Sequence, residues 1–155
     1  MIVGSGPLAD QLVALVGKLG LGDSVVFTGL LANPYVVMAA SDCFVMSSNY
    51  EGQPMVILEA LIVGLPVVTV AFGSAADALP SGFGLVTAST VEALADGMRA
   101  YLRGEVPAPK FDVARYDHDV IREFYAAVGV GAIEAAPVPD ARPEATTQPK
   151  RAAAQ

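Results

Sequence analysis

The sequence has little of what several classes of protein need. Cys43 is the only cysteine among 155 residues, which excludes an internal disulfide and a cysteine-rich metal framework. Lys18 is the only basic residue before Arg99, whereas eight acidic residues lie in the same stretch. Because nucleic-acid binding requires a basic face, we expect no nucleic-acid partner.

Signals for secretion and membrane insertion are also missing. Residues 1–4 show neither the basic segment nor the apolar stretch of a secretory leader. Residues 55–73 are nearly all apolar and approach the length of a membrane span, but Glu59 interrupts them and Gly64-Leu65-Pro66 breaks them. A helix, a turn and a strand are therefore a better interpretation than a transmembrane helix. We expect a cytoplasmic protein without a transmembrane segment.

Apolar residues, by contrast, are abundant at 54% of the sequence, while charged residues make up 16%. This balance is typical of an α/β domain whose strands are covered on both faces. The length allows one compact domain, which we place at residues 1–130. Residues 131–155 are rich in alanine, proline and threonine without periodicity, and are predicted to form a disordered tail.

Apolar runs alternate with glycine and proline breakers, which predicts alternating strands and helices. Predicted strands cover residues 2–3, 24–28, 43–46, 66–70 and 84–86. Predicted helices cover residues 7–19 with Pro7 at the first helical position, 33–40, 53–64, 90–103 with Thr90 as N-cap, and a last helix that Asp112 caps, with an apolar side over residues 113–128. This alternation predicts a mainly parallel sheet in a Rossmann-like three-layer α/β/α fold.

Two glycine-containing turns are candidates for binding a nucleotide. The first, residues 4–9, matches G-x-G-x-x-A between a strand and a helix, as in a dinucleotide-binding fold. Asp23 lies about as far along as that fold's acidic residue, but it precedes the strand at residues 25–27 instead of following it. The favoured interpretation is a tight strand-to-helix turn, and direct ligand contact is the alternative.

The second candidate is the turn at Glu51 and Gly52, which follows a predicted strand and precedes a helix that starts at Gln53-Pro54. Ligands of open α/β sheets bind at the carboxyl ends of the strands, and free N–H groups at a helix start stabilise a phosphate. The alternative for Glu51 is a carboxylate that only complements the helix dipole.

Glu59 stands alone in a helix that is otherwise apolar on every face, the pattern of a buried helix. Because an unpaired buried carboxylate is costly, we expect it to have a ligand, and the vicinal hydroxyls of a sugar ring are suitable donors. The alternative is an exposed stripe on a half-covered helix. Taken together, Glu51, Gly52 and Glu59 favour ligand binding over the alternatives.

Residues 1–128 resemble the carboxyl-terminal domain of the large retaining glycosyltransferase family typified by sucrose synthase and bacterial mannosyltransferases. The shared signature is E-x7-E, here Glu51 to Glu59. Supporting matches lie at residues 3–7, 26–29, 41–45 and 59–68 in the order and spacing of the family. The resemblance implies the C-terminal half of a GT-B fold, incomplete at its N-terminus.

The resemblance also implies roles for individual residues. Glu51 is the expected catalytic residue, which orients or stabilises rather than attacks, and Glu59 is expected to hold the ribose of a nucleotide-diphosphate-sugar donor. Further donor contacts are expected at Gly29, Leu30, Gly52, Gln53, Pro54 and Met55. The expected reaction transfers the sugar with retention and uses no metal or other cofactor. His118, the only histidine, receives no catalytic role.

The sequence differs from the family in lacking the basic residues that contact the diphosphate. The family places an acceptor-binding domain first and opens the donor-binding domain with a strand and loop that supply an arginine and a lysine to the diphosphate, and this sequence shows neither. We therefore expect a fragment or one half of a split enzyme, inactive alone. A missing acceptor domain would be its partner, and through it the inner face of a membrane could be contacted. The alternatives are a non-catalytic nucleotide-binding or interaction module and, on residues 4–9 alone, an NAD-binding domain.

Overall fold

The computed structural model describes residues 1–79, 81–107 and 109–127 of the chain. The chain divides into two compact units, Met1–Phe111 and Asp112–Gln155, and each is described by itself. The predicted disordered tail at residues 131–155 lies outside the described residues. None of the helices in the described ranges is both long and apolar enough to cross a bilayer.

Helices and strands alternate through the first unit. The strands are β1 (Phe44–Met46), β2 (Val67–Val70) and β3 (Gly84–Thr87), and they form a parallel sheet in the order β1-β2-β3. The helices are α1 (Ala9–Lys18), α2 (Tyr35–Ala39), α3 (Met55–Ile62), α4 (Ala75–Ala78) and α5 (Val91–Leu102). The predicted parallel sheet and Rossmann-like α/β class are confirmed.

Strand β2 lies at the centre of the sheet and is buried along its whole length. Successive side chains of a strand point to opposite faces, so neighbours on β2 meet different helices. Val67 belongs to the core cluster that includes Ile57 and Leu61 of α3. Val68 lies on the side of α5, where a Cβ placed on Gly97 would be 2.8 Å from its Cγ1. The two helices therefore cover opposite faces, as the predicted three-layer arrangement requires.

Two segments are less buried than their apolar sequences suggest, and for α3 this is the half-covered helix named as the alternative. Val45 is 37% exposed in β1, which pairs with β2 and has no second partner strand among the described residues. Helix α3 is covered on one side only, and its other side exposes Met55 and Ile62 near Glu59. These residues lie at helical spacings of four and three from Glu59, so they share its face.

The first 33 residues contain no buried residue and only single strand bridges. The two predicted strands at residues 2–3 and 24–28 reduce to single bridges, Ile2 to Phe27 and Gly4 to Gly29. Helix α1 begins at Ala9 instead of Pro7, because residues 6–8 form a turn in which the Ala9 N–H donates to the Gly6 carbonyl at 3.0 Å. No residue of α1 is buried, and Leu12 and Leu15 of the helix and Leu8 before it are exposed.

Both predicted side-chain caps are present. The Thr90 hydroxyl accepts a hydrogen bond from the Ala93 N–H at 3.1 Å and starts α5. In the second unit, a carboxylate oxygen of Asp112 accepts from the Arg115 N–H at 3.1 Å and starts α6 (Val113–Ala127). Val128, the last residue predicted for the apolar side of that helix, lies outside the described residues.

Candidate functional site

Three loops follow the carboxyl ends of the strands and meet at one edge of the sheet, because all three strands are parallel. Side-chain hydrogen bonds tie these loops together. The Ser74 hydroxyl, after β2, donates to the Gly52 carbonyl at 3.1 Å and lies 3.4 Å from that of Glu51. The Ser89 hydroxyl, after β3, donates to the Asn49 side-chain oxygen at 3.5 Å. The loop after β1 is thereby held against both neighbouring loops.

The turn at Gly52 has two N–H groups without a hydrogen-bond acceptor among the described residues, and Gly52 and Gln53 are exposed. In the described part of the chain, neither the Gly52 N–H nor the Gln53 N–H donates a hydrogen bond. Of the neighbouring residues, Pro54 has no N–H, and the N–H of Met55 donates to the Gln53 carbonyl at 2.9 Å. A Cβ on Gly52 would meet no atom within 4 Å, so the space beside this turn is open.

Glu51 precedes this turn and is half-buried. Within the described residues its carboxylate makes no hydrogen bond or ion pair, although its backbone carbonyl is held by Ser74. Helix α3 begins at Met55 without a side-chain cap, so its first N–H groups leave positive potential on the same side of the turn. The sequence-based placement of Glu51 at a strand end beside a helix N-terminus is thus seen in the structure.

Glu59 lies on the less covered side of α3 and is half-buried. Its Oε1 accepts a hydrogen bond from the Tyr35 hydroxyl at 3.3 Å, which links α3 to the first residue of α2. Its position matches the half-covered helix of the alternative interpretation, but its carboxylate is not free in solvent. Tyr35 was not predicted as a site residue, and the only local signal for it in the sequence is the helix start at Asn33-Pro34.

Gly29 and Leu30 lie in the segment that leads into α2. Gly29 has a φ of +64°, a conformation that favours glycine, and its carbonyl accepts the Gly4 N–H at 2.8 Å. Leu30 is 81% exposed. The first glycine turn is therefore partly used in a contact within the protein, and Asp23 lies in the turn before Phe27, on the wrong side for a dinucleotide-binding acid.

The two carboxylates of the site have no ion-pair partner among the described residues. In the first unit, Arg99 pairs with Asp96 and Arg103 with Glu105. None of the ion pairs in the described ranges includes Glu51 or Glu59, and those ranges contain no cluster of potential metal ligands. Burial, and to a lesser extent the nearby Asp42, raise the pKa of the Cys43 thiol, which makes it a poor nucleophile at neutral pH.

Comparison with known proteins agrees with this architecture. Residues 1–115 match the family described as glycosyl transferases group 1. An uncharacterised glycosyltransferase of Methanocaldococcus jannaschii is 41% identical over 69 residues, which cover 44% of this chain and 17% of that protein. The 2-deoxystreptamine glucosyltransferase of Streptomyces kanamyceticus is 36% identical over 95 residues, 60% of this chain and 24% of that enzyme. The chain thus spans about a fifth of the length of these relatives.

Solved structures give the same fold. Sucrose-phosphate synthase from Thermosynechococcus elongatus superposes with a TM-score of 0.60 and 26% identity, over 81% of this chain and 38% of that one. Anabaena HepE in complex with UDP superposes with a TM-score of 0.59 and 25% identity, over 80% of this chain and 40% of that one. With a family match over residues 1–115 and this Rossmann-like GT-B fold, the chain belongs to the glycosyl transferases group 1 family.

Proposed function

We propose that the chain binds the nucleotide-diphosphate-sugar donor of a retaining glycosyl transfer at the carboxyl edge of its sheet. One observation carries the proposal: the open turn at Gly52, with two unengaged N–H groups, starts the same helix that holds Glu59. A turn of this kind suits a diphosphate, and a carboxylate suits ribose hydroxyls. The complex of the similar Anabaena HepE with UDP, a nucleoside diphosphate, supports this choice of ligand.

Each part of the site then has a task. Glu59 accepts hydrogen bonds from the vicinal hydroxyls of the ribose, and the N–H groups of Gly52 and Gln53 contact the diphosphate and the donor sugar. Gly29 and the exposed Leu30 lie along the base. Pro54 and Met55 complete the turn, with Pro54 buried and Met55 exposed.

The chemical step requires no covalent bond to the protein. The bond between the anomeric carbon and the diphosphate oxygen breaks, and the acceptor hydroxyl forms a new bond to that carbon on the same face. The proton of this hydroxyl passes to the leaving diphosphate. Glu51 orients the donor or stabilises positive charge on the sugar rather than attacking it, and neither a metal nor another cofactor takes part.

Charge limits what this chain does alone. A nucleoside diphosphate brings about two negative charges to a site that already contains Glu51 and Glu59, and a helix N-terminus offsets only about half a charge. Lys18 is the only basic residue among the first 98. We therefore propose that a separate part of the enzyme, which also provides the acceptor site, supplies the cations that expel the diphosphate. The same shortage favours a second candidate, a module that binds the nucleotide without transferring the sugar.

Titration calorimetry with sugars linked to uridine, guanosine and adenosine diphosphate tests the proposal. We expect heat from at least one of them and a Kd that rises about 10- to 100-fold in Glu59→Gln, which removes the charge from the hydrogen bonds. Glu92→Gln, a change of the same chemistry on α5, should leave the Kd unchanged. Absence of heat with all three donors would favour an interaction module and contradict donor binding.

A second variant tests the turn itself. Gly52 has an ordinary φ, and an added Cβ meets no protein atom within 4 Å, so Gly52→Ala should fold normally. If a donor approaches the backbone here, the methyl group occupies its space and affinity should fall about tenfold or more. Gly22→Ala, equally unobstructed but outside the site, is the matched control. Equal donor affinity in both variants would place the donor elsewhere.

A further inference from the structure

The link between Tyr35 and Glu59 joins two elements that are far apart in sequence. The Tyr35 hydroxyl donates to Glu59 Oε1 at 3.3 Å across a separation of 24 residues. Within the described residues it is the only side chain that hydrogen-bonds to this carboxylate. Tyr35 itself is 47% exposed, so hydrophobic burial alone does not account for its position.

The local sequence fixes where Tyr35 stands. The side-chain oxygen of Asn33 accepts the Tyr35 N–H at 3.1 Å, and Pro34 restricts the backbone at the start of α2. One turn further on, the N–H of Met38 donates to the Pro34 carbonyl, and the Met38 side chain is buried in the core cluster. Asn33 thus holds the start of the helix and the buried Met38 side chain anchors it, so the backbone that carries Tyr35 is fixed in position.

The Glu59 carboxylate has acceptor positions left for a ligand. An ionised carboxylate has two oxygens with about four acceptor positions, and Tyr35 uses one of them. The remaining positions suffice for two vicinal hydroxyls. A glutamate on a half-covered helix face otherwise samples several side-chain rotamers, and a ligand that binds it bears the entropic cost of selecting one. A hydrogen bond from a fixed tyrosine reduces that cost before the ligand arrives.

We propose that Tyr35 is a positioning residue for donor recognition, whose hydroxyl holds Glu59 in the orientation that receives the vicinal hydroxyls of a ribose. This inference rests on the proposed function, since it assigns Glu59 to the ribose. It adds a residue outside the E-x7-E stretch to the site. It predicts that Tyr35 contributes to affinity only through Glu59, and only for ligands that carry those hydroxyls.

The test compares UDP with 2′,3′-dideoxy-UDP, which lacks both hydroxyls, by titration calorimetry on the full chain. Tyr35→Phe should raise the Kd for UDP about three- to tenfold, the effect of losing one modest hydrogen bond, and should leave the Kd for the dideoxy analogue unchanged. In the double variant Tyr35→Phe/Glu59→Gln, UDP should bind no more weakly than in Glu59→Gln alone, because the tyrosine has lost the group it positions. Tyr101→Phe, which removes a phenol hydroxyl from α5, is the matched control and should bind both ligands like the wild type.

The outcomes separate this inference from the proposal on which it rests. Equal weakening of both nucleotides by Tyr35→Phe would show a general structural role and overturn the inference. Loss of UDP affinity in Glu59→Gln without any effect of Tyr35→Phe would also overturn it while leaving donor binding intact. If the wild-type chain binds none of UDP, GDP and ADP, the donor site and the role of Tyr35 fall together; if it binds GDP or ADP instead of UDP, the same comparison is made with that nucleotide and its 2′,3′-dideoxy analogue.

Discussion

Residues 1–33 and residues 44–106 share a pattern of strand, helix and strand but differ in packing. The earlier segment has single-bridge strand contacts and a helix, α1, with no buried residue. The later segment contains the parallel sheet, with α3 and α5 packed on β2. No residue before Met38 is buried, whereas the core cluster of the first unit lies between Met38 and Leu79.

The difference shows that helix formation and helix burial have separate physical causes, although the same amphipathic sequence pattern predicts both. Helix α1 forms although none of its residues is buried and no side chain caps it, whereas burial requires a partner surface of matching shape. In α5 that surface is β2 and β3, and Gly97 allows the close approach. The proposed site follows this division: its loops and Glu59 are held by the packed segment, whereas Gly29 and Leu30 come from the loose one.

Truncation of a leucine in each segment should give the largest contrast. Leu61→Ala in α3 removes a side chain that is 2% exposed, so we expect a loss of about 2–5 kcal/mol in the free energy of unfolding. Leu12→Ala in α1 removes one that is 39% exposed and should change stability by no more than about 0.5 kcal/mol. Urea unfolding measures both. Equal losses would show that α1 is packed as firmly as α3.

Addition of a single methyl group to a helical glycine should change stability in opposite directions. In Gly97→Ala the new Cβ would lie 2.8 Å from Val68 Cγ1 and from Thr87 Cγ2, and the overpacking should cost about 1–3 kcal/mol. In Gly17→Ala of α1 it meets nothing within 4 Å, and the better helix propensity should stabilise by about 0.5–1 kcal/mol. A stabilising Gly97→Ala would be incompatible with the described contact between α5 and the sheet.

Removal of the helix start signals should give the smallest contrast. Thr90→Ala deletes the cap of α5 and should destabilise by about 1 kcal/mol, because the Ala93 N–H loses its partner. Leu8, at the equivalent position of α1, makes no side-chain cap, so Leu8→Ala should cost no more than a few tenths of a kcal/mol, roughly the change expected for an exposed site. Thermal unfolding followed by circular dichroism distinguishes the two variants, provided that the packed residues 44–106 determine the unfolding temperature.

Much of the fold was predictable because breakers and caps act locally. The boundaries of β2, α5 and the short helix after Asn33 were predicted to within one or two residues, since prolines and a capping threonine define them. The family resemblance was predictable for the same reason: the order of its short motifs is readable along the chain, and the match over residues 1–115 confirms it.

The rest depended on contacts between distant residues. The exposure of Val45 follows from which strands pair with β1, and the exposure of Met55 follows from which side of α3 meets the sheet. Likewise, Tyr35 and Ser74 enter the site through hydrogen bonds spanning 24 and 22 residues. Local spacing carries no information about such pairs. The roles predicted for Glu51, Glu59 and the Gly52 turn stay predictions.

The most direct test of donor binding is residue-by-residue mapping by amide NMR of the labelled chain, titrated in turn with UDP, GDP and ADP. Our account predicts that one nucleotide shifts the signals of Gly52, Gln53, Leu30 and Glu59 while those of α5 stay in place. Shifts confined to residues 4–9, or no shifts with any of the three, would contradict it.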